Sequence, residues 1–97
     1  GELGPSGVRV VCLRPDGIPE SVDHGSHARA LWTRAAGFAG MTLDDVLAGS
    51  PGVPGAMLGQ PVTLADVAET ATFLASDRAP AITATIANIS RGAVVDI

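Results

Sequence analysis

The run Val8, Val10, Val11, Cys12 and Leu13, opened by Gly7 and closed by Pro15, Asp16 and Gly17, constrains this chain more than any other stretch. Its β-branched and apolar residues, with little polar alternation, predict a buried strand over 8–13 of the kind found in parallel sheets. Arg14 precedes a proline and is pushed towards extended backbone, and Asp16, Gly17 and Pro19 then stop both strand and helix. The strand therefore delivers an irregular loop at its carboxyl end. In open α/β sheets that edge is where ligands bind, so the loop to Ser21 is the first functional suspect.

Upstream, Glu2 and Leu3 read as the last turn of a helix ended by Gly4 and Pro5. Downstream, Val22 to Ser26 is short and polar, and Ser26 can cap a helix whose apolar face is Ala28, Leu31, Trp32 and Ala35, ended by Gly37. Thr42 and Asp45 have the spacing of a capping box before Leu43, Val46 and Leu47, and Gly49 stops that helix. From Ser50 to Pro61 the chain is dense in Gly and Pro and predicts a loop. Thr63 and Asp66 then cap a helix with the small-residue stripe Leu64, Val67, Ala68, Ala71, Leu74 and Ala75, which suits close packing on a sheet. Ile82 to Ile89 reads as a second strand, Ile82, Ala84 and Ile86 on one face and Thr83, Thr85, Ala87 and Ile89 on the other. Strand, long helical crossover and strand imply a parallel pair. The fold class is α/β, a fragment of a doubly wound parallel sheet, because two strands alone cannot bury helices on both faces.

Composition points the same way. A chain of 97 residues buries only roughly 60 to 70% of its unfolded surface. Yet 46% of the residues are hydrophobic and the mean hydropathy is +0.35, so part of the apolar surface is expected to face other protein. No apolar run approaches the roughly 18 residues of a membrane span, so no membrane partner is expected. The net charge is −4, and the arginines, scattered from Arg9 to Arg91, form no basic stripe. Nucleic acid is therefore not an expected partner. Cys12 has no second cysteine to pair with and reads as a small buried hydrophobe in a reducing cytoplasm. The chain opens on Gly1, Glu2 and Leu3 without a leader and reads as cut from a longer protein. It contains no Tyr, and the six basic residues are all arginine, so there is no Lys. Chemistry that needs a phenol or an amine lies beyond it.

Arg9-Val10, Pro15 and the loop to Ser21, then Phe73-Leu74-Ala75-Ser76-Asp77, Ala79, Ile82-Thr83, Asn88-Ile89 and Gly92, together resemble the carboxyl-terminal third of short-chain dehydrogenases/reductases. The resemblance covers residues 2–21 and 61–92, and residues 22–60 fall where that family keeps its variable substrate-binding segment. It implies that residues 1–97 are part of one Rossmann-type domain in an NAD- or NADP-dependent oxidoreductase acting on an alcohol or carbonyl substrate. It also implies that the glycine-rich turn and the catalytic Ser, Tyr and Lys belong to other parts of that protein. The cofactor contact carried over is the loop after the penultimate strand, a Pro-Gly-x-Ile-x-Thr pattern in the family, and the implied cofactor-binding residues are Pro15, Gly17, Ile18 and Ser21. Without gaps the Thr falls on Glu20, whose carboxylate a pyrophosphate would repel. A one-residue insertion places Gly17 on the Gly and Ser21 on the Thr, supplying a hydroxyl. Ala84 and Arg91 stand where the family has glycine. The family also commonly dimerises through its last helix and strand, which implies a homo-oligomer through Thr63 to Ile89, with Ala68, Ala71, Thr72 and Ala75 at the contact.

Other candidates read more simply. His24 and His27 with Asp23 lack a completing Cys or Glu and read as a solvated helix start, so no metal is expected. Asp44 and Asp45 are adjacent, diverge on a helix, and suit its amino end. Trp32, Met41, Met57 and Leu58 read first as core and second as pocket lining. Against the oxidoreductase stands a hypothesis of another class, a non-catalytic pairing module that assembles through its last helix and strand.

Overall fold

The computed structural model describes residues 1–49 and 55–96. Two parallel strands, β1 (Val11–Pro15) and β2 (Thr85–Ile89), are joined by a crossover containing three helices: α1 (Ala28–Phe38), α2 (Leu43–Leu47) and α3 (Leu64–Ala75). The chain is thus α/β, as its pattern implies. Val11 faces Thr85 and Pro15 faces Ile89 in the register, and the Asp16 N–H extends the ladder to the Ile89 carbonyl at 3.0 Å.

Both strands start later than their sequence suggests, because Ala84 adopts a left-handed backbone, φ 53°. That turn cannot continue a strand, so residues 82–84 do not belong to β2. Before it the Thr83 hydroxyl accepts the Val10 N–H at 3.0 Å, and the Ala84 N–H donates to the Val10 carbonyl at 2.8 Å. Val8 and Val10 accordingly stand outside the ladder and are exposed. The expected helix at Glu2 and Leu3 is instead a 3-10 turn over Gly4–Ser6.

α1 runs through Gly37 and stops one residue later, at Phe38. Gly40, at φ 69°, carries the left-handed residue there, while the Gly40 N–H bonds Gly37 O and the Met41 N–H bonds Ala36 O. This double closure is a Schellman end, which satisfies the last carbonyls. Ser26 does cap α1, its hydroxyl accepting the Ala28 N–H at 3.1 Å, although His27 occupies the cap position itself. Both capping boxes form: Thr42 with Asp45 opens α2 and Thr63 with Asp66 opens α3. Of the Gly/Pro stretch, residues 50–54 lie outside the described residues, and Gly55 to Pro61 form turns without helix or strand.

α3 lies on the face of the sheet that carries Val11 and Leu13, with Ala71 and Leu74 turned towards them. Arg9 ties its end down: the guanidinium donates to Leu74 O at 2.7 Å and Ser76 O at 3.0 Å, carbonyls freed where the helix stops. The opposite face of the sheet is bare. Val10 is 66% exposed, Ile86 55%, and Cys12 between them is exposed as well. The expectation of a buried Cys12 is therefore corrected, since nothing among the described residues covers that face. Among the described residues the buried apolar set is only Val22, Ala36, Val62, Ala79 and Ile89. The radius of gyration is 16.5 Å, against about 13 Å for a compact domain of this length.

Candidate functional site at the carboxyl ends of the strands

β1 ends at Pro15, and the chain turns through Asp16 and Gly17 into a 3-10 helix, Pro19–Asp23. Ile18 precedes that helix in extended backbone, and its carbonyl accepts from both the Ser21 N–H at 3.0 Å and the Ser21 hydroxyl at 2.6 Å. The loop is thus a closed turn, tied down by the side chain whose hydroxyl is the expected phosphate contact. Gly17 meets the indole of Trp32 so closely that a Cβ there would stand 2.7 Å from Cζ2 of the ring. Only glycine allows this approach, which fastens the loop to α1. Val22, buried behind the loop, anchors the 3-10 helix.

Glu20, the awkward residue of the gapless alignment, has a structural task. Its carboxylate accepts the Leu64 N–H at 2.7 Å and so caps the first turn of α3 from outside. It sits beside the capping box, in which the Thr63 hydroxyl accepts the Asp66 N–H at 3.1 Å and the Asp66 carboxylate accepts the Thr63 N–H at 3.0 Å. The same carboxylate is held by Arg91 in a two-pronged ion pair, Nε at 2.7 Å and a terminal nitrogen at 2.8 Å. Arg91, followed by the Thr63 bond, depresses the Asp66 pKa to about 2. The remaining guanidinium nitrogen reaches Gln60 Oε1 at 3.0 Å. Loop, helix start and the turn after β2 are thereby locked together.

Between the loop, α1 and α2 lies a cleft of about 460 Å³, bordered among others by Asp16, Pro19, Trp32, Leu47, Gln60 and Ala93. Trp32 is therefore cleft lining. Met57 instead packs against Gly92, and Leu58 is exposed. A larger hollow of about 950 Å³ opens at the amino ends of the strands, beside Leu3, Val8 and Asp77, away from the loop. His24 and His27 have no third ligand, and no group of three metal-binding side chains occurs among the described residues. Asp23 pairs with Arg29 at 2.8 Å. Among the described residues no helix is long and apolar enough to cross a membrane.

The sequence missed Glu20 as a cap, Arg9 as a clamp and Asp16 in the cleft. Only the Asp66 spacing gave a local signal, because the other contacts join distant segments.

Comparison with family models, with curated proteins and with solved structures finds no match.

Proposed function

We propose that this chain is the carboxyl-terminal part of a cytoplasmic NAD- or NADP-dependent oxidoreductase with a Rossmann-type domain, acting on an alcohol or carbonyl substrate. Pro15, Gly17, Ile18 and Ser21 would form its nicotinamide-side loop and residues 22–60 its substrate segment. The observation that carries the proposal is the cleft at the carboxyl ends of two parallel strands, bordered by that loop and by α1 and α2. Two details support it. Ala84 and Arg91, which stand where the resembled family has glycine, have φ values of 53° and 50°, the left-handed region that glycine favours. Glu20 is tied to α3, which leaves Ser21 as the side chain to meet a phosphate.

The dinucleotide, when bound, supplies or accepts the hydride. The chain's own task would be to hold it: the Ile18 backbone would bind the carboxamide, and the Ser21 hydroxyl, which bonds Ile18 O at 2.6 Å, would supply a phosphate contact. Trp32 and Leu47 would shield the substrate side from water. The partner in assembly would be a second copy, through α3 and β2. Ala71, Leu74 and Ala75 border the groove against β1, so of the expected contact residues Ala68 and Thr72, both exposed, are left for it.

Hydrogen exchange on the full-length protein, with and without NAD and NADP, tests the proposal. Binding should slow exchange across residues 17–40 and leave α3 little changed. Equal protection in both states with both dinucleotides would remove the loop from a cofactor site. The bare sheet face would then favour the second reading, a non-catalytic pairing module.

A further inference from the structure

The oxidoreductase reading leaves the substrate open, and the lining of the cleft narrows it. Its apolar wall includes Trp32, Val46 and Leu47, and the only charged side chain among its described lining residues is Asp16. The Asp16 backbone is fixed to Ile89 O, whereas its carboxylate has no hydrogen-bond or ion-pair partner among the described residues. The nearby cations are otherwise engaged: Arg14 pairs with Asp96, and Arg91 holds Asp66 and Gln60. Gly17, next to Asp16 in the chain, rests on the Trp32 indole, so an exposed acidic residue and an aromatic residue border one space.

Both groups attract a cation, the carboxylate through its charge and the indole through the negative face of its π system. Both disfavour an anion, and no basic side chain among the described lining residues reverses that. The volume of about 460 Å³ lies within the range for small-molecule sites. We infer that the cleft takes ligands with an apolar body and a protonated amine. The ligand's role as substrate rests on the oxidoreductase reading, which makes the class amino alcohols and amino ketones.

Three probes of one shape test this in the full-length protein: 2-phenylethylamine, 2-phenylethanol and phenylacetate, titrated by calorimetry. The Trp32 indole N–H resonance, assigned by Trp32→Phe, is followed in parallel. The amine should bind at least tenfold more tightly than phenylacetate and shift the Trp32 signal. Asp16→Asn should bring the two within about twofold, and Asp16→Glu should keep the preference. Phenylacetate binding as tightly as the amine in the unaltered protein would overturn the inference and leave the cleft as a site of another class. No binding by any probe at millimolar concentration would overturn it and remove the cleft from the proposed function. The dinucleotide-dependent exchange measurement would still judge the cofactor loop separately.

Discussion

Asp66 shows how much one side chain can hold. It accepts the Thr63 N–H, closes the capping box of α3 and takes both prongs of Arg91. The folded carboxyl titrates at about 2 and the unfolded one near 3.8. A folded value below the unfolded one means that the stabilisation is complete above pH 3.8 and is lost as the pH falls through 2. Urea midpoints should therefore drop across that window, and in Asp66→Asn they should be lower at neutral pH and flatter in acid. Parallel curves for the two proteins would contradict this. Ala84 carries the opposite kind of effect. A left-handed non-glycine residue costs about 1–2 kcal/mol, part of which glycine gives back as unfolded-state entropy. Ala84→Gly should thus be more stable by about 0.5–1 kcal/mol. A lower urea midpoint would show that the alanine methyl has packing worth more than the strain.

Among the elements, what was legible in the sequence is what is local. Thr42 with Asp45 and Thr63 with Asp66 mark the starts of α2 and α3 because each box closes within one turn. Parallel pairing followed from the long crossover. The strand limits were not legible, since Val8 and Val10 look like any buried run and the turn at Ala84 that excludes them is 74 residues from Val10. Nor was Gly37 a stop, because Gly40 could serve better as the left-handed residue. The site was half legible: the loop is where the pattern put it, but the Glu20 bond to Leu64 spans 44 residues. That bond yields a prediction at this scale. Glu20→Ala should destabilise α3 by about 0.5–1 kcal/mol, the lower part of the capping range, because the carboxylate is exposed. Amide exchange should rise at Leu64 and Ala65 first. Unchanged exchange there would mean that water caps the helix equally well.

The molecule as a whole is an open structure, with a radius of gyration of 16.5 Å and a sparse core. Five buried apolar side chains among the described residues are few for a chain that is 46% hydrophobic. Twelve large hydrophobic side chains are exposed among the described residues, and Val10 and Ile86 flank the exposed Cys12 in a strip beside the edge of β1 that no described strand pairs. Exposed edges and apolar strips are what proteins cover with further strands or a partner. Cys12 stands in the middle of that strip and reports on it. With the 97-residue chain alone, iodoacetamide should alkylate Cys12 as fast as a thiol in an unfolded peptide. In the full domain that we propose, strand and helix neighbours would cover the face, and the rate should fall at least tenfold. The comparison also separates the two functions, because a pairing module would protect Cys12 only as protein concentration rises, whereas strands of the same domain would protect it at any dilution. Equal, fast alkylation in chain and full-length protein at every concentration would leave the face open in both and count against the Rossmann-type reading.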